Sequence, residues 1–239
     1  MSGSDKAASP EKPARTPGQE IRPEHIKRWG PAWSRRVGWF LAKVVWRTTV
    51  IGAENVPRTG RVLLAANHTG IIDGPLLHGC IPRRSHFIIK EEAFYGVIGF
   101  LMRNAGQIPV DRGTGRAALT TALALLNEDR LVAVFPEGTR GRGDVSSAKA
   151  GIAWLAVRSG SPVVPVAILG TRRGGQRRGH VPGFRARLFV VFGEPFQAAP
   201  DDAATGRAAV AAAAERVQAE MSRHVEAAIA RTGVDLPAD

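Results

Sequence analysis

The chain runs to 239 residues, of which 44% are hydrophobic, enough for one substantial core with appendages. Thirty-three Lys and Arg against 21 Asp and Glu leave a net charge of +12, a surface that seeks polyanions such as nucleic acid, anionic lipid or acidic cofactors. One cysteine excludes a disulfide framework and a thiolate metal cluster, and no window reaches the ~18 apolar residues of a membrane-spanning helix.

Residues 1–24 are polar, contain Pro10, Pro13, Pro17 and Pro23, and read as a disordered tail without the basic-then-apolar pattern of a signal peptide. Character changes over 25–48, where four of the five tryptophans fall. Trp29, Trp33, Trp39, Phe40, Leu41, Val44, Val45 and Trp46 alternate there with Lys27, Arg28, Arg35, Arg36, Lys43 and Arg47. Helical spacing gathers much of the apolar set on one side with cations beside it, as a membrane-interfacial helix on anionic lipid requires. The plain alternative is an amphipathic helix packed on the domain core.

From 49 to 232 short apolar runs alternate with helical stretches, the pattern of an α/β domain. Strands are predicted near 62–66, 86–89, 107–110, 131–135, 163–168 and 186–192. Helices are predicted over 73–79, 92–103, 115–128, 147–159 and 203–231. The last is rich in alanine and closed by Gly233, which leaves 233–239 as a tail. The expected fold class is α/β, a single domain with a mixed, largely parallel sheet flanked by helices and preceded by the N-terminal amphipathic segment.

Two short strings hold the chemistry. In Asn67-His68-Thr69-Gly70-Ile71-Ile72-Asp73, a histidine precedes an aspartate by five positions. Residues five apart lie about 140° apart on a helix and cannot meet. His68 and Asp73 touch only if His68 sits on a loop after the 62–66 strand and Asp73 opens the next helix, where the dipole favours an acid. Asp73 then accepts one ring N–H of His68 and leaves the other nitrogen to take a proton, the base-and-orienter half of a triad. No Gly-x-Ser-x-Gly occurs and Cys80 is the one cysteine, so the base has a substrate hydroxyl to activate. The competing reading is a helix-capping Asp beside an ordinary, partly buried His.

The second string, Phe135-Pro136-Glu137-Gly138-Thr139-Arg140, follows the apolar run Leu131 to Val134 and ends it as a buried strand ends. Gly138 allows close approach of a ligand, and Arg140 offers a planar fork matched to phosphate or carboxylate. Glu137 can hold that arginine or bond a ligand hydroxyl. Taken alone, the string is equally a strand-terminating turn with a surface ion pair.

Four ordered blocks resemble the phospholipid/glycerol acyltransferase family, which includes the 1-acyl-sn-glycerol-3-phosphate (lysophosphatidic acid) acyltransferases. They are Asn67, His68 and Asp73; Gly106-Gln107-Ile108-Pro109-Val110-Asp111-Arg112; residues 135–140; and Val164-Pro165-Val166. Lys90-Glu91-Glu92 and Lys149-Ala150-Gly151 are similar to further family signatures between the blocks. Gly70 stands where the family often has serine, and Pro109 where it has an aromatic or aliphatic residue.

The resemblance implies that a fatty acyl group moves from an acyl thioester, acyl-CoA or acyl carrier protein, to the hydroxyl of lysophosphatidic acid, giving phosphatidic acid. His68 would act as general base and Asp73 would orient it. Arg112 and Arg140 would grip the acceptor phosphate, with Lys90, Glu137, Gly138 and Thr139 as further substrate-binding residues. No metal and no cofactor beyond the thioester co-substrate is expected. Glycerol-3-phosphate or another lysophospholipid would use the same residues. The implied location is peripheral, on an anionic membrane surface at the cytoplasmic face.

The chain's charge alone suggests a different class, a polyanion-binding or membrane scaffold protein without catalysis. A nucleic-acid module is not expected, because no familiar docking motif accompanies the charge. The densest basic stretch, Arg172, Arg173, Arg177, Arg178, Arg185 and Arg187 with His180, falls in a glycine-rich loop between two strands. Coenzyme A phosphates, an acidic carrier protein or lipid headgroups would suit it, as would plain solvation. His25, His78, His86 and His224 read as structural, and Cys80 as a small buried hydrophobe.

Overall fold

The computed structural model describes residues 21–110, 115–137, 150–199 and 206–238. A 3-10 turn at Pro23–His25 leads to helix α1 (Gly30–Phe40), which runs on as a π-helical turn, Leu41–Val45. Strands β1 (Arg47–Ile51) and β2 (Val62–Ala66) follow, then α2 (Asp73–Cys80), β3 (Ser85–Lys90), a 3-10 turn at Glu91–Phe94, α3 (Gly96–Asn104) and β4 (Ile108–Val110). Helix α4 (Arg116–Asn127), β5 (Leu131–Val134), α5 (Ala150–Ser159), β6 (Val163–Leu169), β7 (Arg187–Phe192) and α6 (Gly206–Thr232) complete the order.

Among the described residues seven strands form one sheet, in the order β1-β7-β6-β2-β5-β3-β4. Every neighbouring pair is parallel except β6 with β7. The sheet is mixed and largely parallel, with helices on both faces, as expected. Central β2 is buried along its whole length, which is why its sequence is continuously apolar rather than alternating. Leu63 and Ala65 join Leu125, Leu155, Val217 and Met221 of α4, α5 and α6 on one face. Val62, Leu64 and Ala66 join Leu76 and Leu77 of α2, with Trp46 and Phe87, on the other.

Several boundaries differ from the sequence expectation. The helical segment drawn over 25–48 ends at Val45, and residues 47–51 form edge strand β1, which pairs with β7 some 140 positions away. The single helix drawn over 92–103 is broken at Tyr95, which is extended, and Gly96, whose φ of 58° suits a residue without a Cβ. Of the two tails, Ile21 packs on the core and residues 23–25 form a turn, while Val234 and Leu236 also pack on the core.

Helix α1 packs one face on α2 at a glycine pair. Gly38 and Gly79 meet backbone to backbone, and a Cβ on Gly38 would stand 2.7 Å from the Gly79 nitrogen. A buried histidine reinforces the contact: Ser34 Oγ lies 2.8 Å from His78 Nε2, and His78 Nδ1 lies 2.9 Å from Ser85 Oγ, linking α1, α2 and β3. Burial pushes the His78 pKa down to about 4, so the network operates with a neutral ring. The other face of α1 is open to solvent, with Trp29, Trp39 and Phe40 each more than half exposed. Cys80 is buried, and burial pushes its thiol up to about 12.

Candidate active site

The loop after β2 leaves the sheet at the carboxyl ends of β2, β5 and β6, where open α/β sheets place ligands. Asn67 holds it there. Its main-chain N–H donates to Val166 O (3.4 Å), its Nδ2 donates to Ile168 O (3.1 Å), and its Oδ1 accepts Ile168 N–H (2.7 Å). The side chain is fully buried, so both of its polar ends are satisfied by β6 rather than by water.

Asp73 opens α2 and turns back over the same loop. Its Oδ2 accepts Thr69 N–H (2.7 Å), Gly70 N–H (2.8 Å) and the His68 ring at Nδ1 (2.9 Å). The carboxylate is wholly buried and His68 retains 16% side-chain exposure. A carboxylate only accepts, so Nδ1 donates in this pair, and in the neutral ring the lone pair is then on Nε2. That is the tautomer a general base needs.

The second string meets the first at this histidine. Phe135 stacks under the His68 ring, with centroids 4.2 Å apart and planes 20° from parallel. Glu137 Oε1 accepts the His68 main-chain N–H at 3.1 Å. The N–H groups of residues 68, 69 and 70 therefore all turn inward, to Glu137 and Asp73. Thr69 Oγ1 pairs with Thr171 Oγ1, just past the end of β6, at 3.0 Å, and both residues are buried.

The family profile described as Acyltransferase matches residues 47–169, a span that contains His68, Asp73, Phe135, Glu137 and Val166. The chain belongs to the acyltransferase family. It is similar to the 1-acyl-sn-glycerol-3-phosphate acyltransferase of Bacillus subtilis strain 168, at 31% identity over 155 residues, 63% of this chain and 74% of that protein. The protein of the same description from Borreliella burgdorferi is 29% identical over 142 residues, 57% of this chain and 56% of its own length. The crystal structure of the 1-acyl-sn-glycerophosphate acyltransferase PlsC from Thermotoga maritima superposes with a TM-score of 0.65 at 26% identity, covering 83% of this chain and 79% of that one.

In this acyltransferase the structure brings His68, Asp73 and Glu137 into one cluster. Lys90 stands apart, exposed at the end of β3, with β5 between it and β2. Arg112, Gly138, Thr139 and Arg140 lie outside the described residues. One oxygen of Glu137 accepts the His68 main-chain N–H, a bond the motif does not announce. Sequence reasoning assigned no role to Asn67, Thr69, Phe135 or Thr171. Asn67 and Phe135 stand inside the quoted motifs, whereas Thr171 is 102 positions from its partner and has no local signal. Among the described residues, no group of three or more His, Cys, Asp or Glu is placed to hold a metal ion.

Proposed function

We propose that this acyltransferase moves a fatty acyl group from an acyl thioester, acyl-CoA or acyl carrier protein, to the hydroxyl of lysophosphatidic acid. The observation that carries the reading is the His68–Asp73 pair at 2.9 Å, held by two further bonds to the same carboxylate oxygen. The printed names of the relatives from Bacillus subtilis and Borreliella burgdorferi support this acceptor.

In this mechanism His68 Nε2 takes the acceptor hydroxyl proton as the oxygen attacks the thioester carbonyl. A C–O bond forms and a tetrahedral oxyanion results. Its collapse breaks the C–S bond, and the proton on His68 passes to the departing thiolate. Base assistance of this kind is typically worth about 10²–10⁴ in rate. Because the N–H groups of residues 68–70 are committed, the oxyanion draws its donors from elsewhere. The motif residues Arg112 and Arg140 serve as the phosphate grip, which fixes the hydroxyl beside the base. Gly138, Thr139 and Lys90 remain part of the substrate-binding set.

In this reading the reaction occurs at the cytoplasmic face of a membrane, with the protein peripheral. Among the described residues no helix is long and apolar enough to cross a membrane. The exposed aromatic face of α1, flanked by Arg36 and Lys43, supports interfacial binding to anionic lipid. Free-thiol release from a long-chain acyl-CoA, with and without lysophosphatidic acid, tests the reaction for the wild type and His68→Ala. Acceptor-dependent release that vanishes in the variant is expected. Release that persists in His68→Ala removes the base, and no release with either thioester donor removes the reaction.

A further inference from the structure

Helix α3 reads Gly96-Val97-Ile98-Gly99-Phe100-Leu101-Met102-Arg103-Asn104, an apolar sequence that ordinarily marks a buried helix. It is not buried. Val97 is 77% exposed, Ile98 63%, Phe100 60% and Leu101 41%, and Tyr95 just before them is 71% exposed. At 100° per residue, Phe100, Val97, Leu101 and Ile98 fall within one face of about 160°, which carries the half-buried Asn104 at its last turn. The opposite face is the packed one: Gly99, the only buried residue of the helix, lies against the Phe94 backbone, leaving no room for a Cβ. Isolated exposed apolar residues need no explanation, but a whole helical face does.

Helix α3 is also fastened to α1. Lys27 Nζ donates to Asn104 Oδ1 (2.6 Å), Trp33 Nε1 donates to Asn104 O (3.2 Å), and Gly30 is closed against the backbone of residues 104–106. These ties join the carboxyl end of α3 to the start of α1 and fix the two helices to each other at that point. The charge of the two stretches is of one sign. Residues 25–53 and 93–110 contain no Asp or Glu, while Arg36, Lys43 and Arg47 are exposed. The first carboxylates before α3, Glu91 and Glu92, belong to the preceding turn.

We propose that the Val97–Leu101 face of α3 is a second lipid-inserting surface, which seats with α1 in an anionic bilayer. This rests on the interfacial reading given above and extends it to an element outside the N-terminal segment. Apolar side chains on α3, with the exposed cations Arg36, Lys43 and Arg47 on the N-terminal segment and no carboxylate within either stretch, match acyl chains beneath anionic headgroups. A second copy of the chain is a poorer match, because it would set these cations against their own copies. The placement also serves the site. Strand β3 ends at the same edge of the sheet as β2, so α3 starts near the level of the His68 loop. Seating it in lipid brings that edge to the depth where a lysophospholipid resides.

Co-sedimentation of the purified full chain with phosphatidylcholine vesicles, with and without phosphatidylglycerol, tests the surface without any substrate. The Ile98→Ser/Phe100→Ser variant should bind the anionic vesicles at least about tenfold more weakly, since it removes two inserted side chains. Its circular dichroism and Tm should match the wild type. Binding within about twofold of wild type overturns the proposal. A wild type that does not sediment with anionic vesicles overturns it as well, as does a dimer in solution that the variant dissolves.

Ile98→Trp supplies a second readout that does not depend on lost affinity. Its added fluorescence should be quenched by lipids brominated along the acyl chain, and fluorescence that resists quenching overturns the insertion. Because both measurements omit acceptor and donor, their outcome is separate from that of the acyl-transfer assay. A protein that binds vesicles through α3 yet releases no thiol keeps this surface and loses only the proposed reaction.

Discussion

The side-chain amide of Asn67 pairs with both main-chain polar groups of Ile168, as one more residue of a neighbouring strand would. Together with the Asn67 main-chain N–H donated to Val166 O, these bonds continue the β2–β6 pairing past Ala66. Asn67→Ala would leave a buried N–H and a buried C=O unpaired. The expected loss is about 2–6 kcal/mol, from roughly 1–3 for each of the two groups left unsatisfied. Urea denaturation of the two proteins measures it, and a loss below about 1 kcal/mol would show that β6 finds other partners.

Asp73 has two duties that substitution can separate. Its Oδ2 orients His68 and also ties down the N–H groups of Thr69 and Gly70, while Oδ1 is buried with no hydrogen-bond partner among the described residues. An asparagine oxygen can keep the two main-chain bonds, so Asp73→Asn should stay folded and lose about 10²–10⁴ in kcat with little change in KM. Asp73→Ala should lose that activity and stability besides. Equal thermal unfolding of the two variants would mean that the loop does not depend on this carboxylate.

Thr171→Val removes one hydroxyl of the Thr69–Thr171 pair and nearly preserves shape. The Thr69 hydroxyl is then buried without that partner, a cost of about 1–3 kcal/mol. Loosening of the histidine loop should appear as a lower kcat at nearly constant KM. Thr171→Ser, which retains the hydroxyl, should recover kcat. A serine variant no better than valine would assign the effect to packing by the methyl group.

Two buried histidines set the acid limit of the fold. Burial pushes both His78 and His86 from the usual 6.5 down to about 4. Between those values the unfolded chain binds protons that the native chain does not, so stability rises with pH across that window. The contribution is complete above pH 6.5 and is lost as the pH falls toward 4, by up to about 3 kcal/mol for each ring. Unfolding free energy measured across this range should therefore decline on acidification, and His78→Asn should flatten the slope by the share of one proton. An unchanged slope would place the titration elsewhere.

What the sequence disclosed depended on how local each feature was. The runs of β2, β5 and β6 were legible because strands covered on both faces need no polar alternation, and their lengths came within a residue or two. Strand β1 was missed because Arg47-Thr48-Thr49-Val50-Ile51 is half polar and follows an apolar helix directly. Its identity as a strand comes from β7, far along the chain. The His68–Asp73 pairing could be argued from spacing alone, since only a loop followed by a helix start brings five-apart residues together. The partners that secure it, Ile168 and Thr171, arrive from β6 and its end, more than 100 positions later. Helix α3 was legible as helix but not as exposed, because an apolar sequence reports its preference for leaving water and not what it leaves water for.

The space beside Gly70 is shared with a residue far along the chain. A Cβ built there would stand 3.3 Å from Thr171 Oγ1 and 3.5 Å from Thr171 Cβ, so the threonine occupies the room that a side chain at position 70 would need. Substitutions at positions 70 and 171 therefore act on one shared space. Gly70→Ser alone crowds the pair, Thr171→Ala alone leaves a gap, and the two changes together relieve each other. A double-mutant cycle over positions 70 and 171 should therefore be non-additive, despite their separation of 101 positions in the chain.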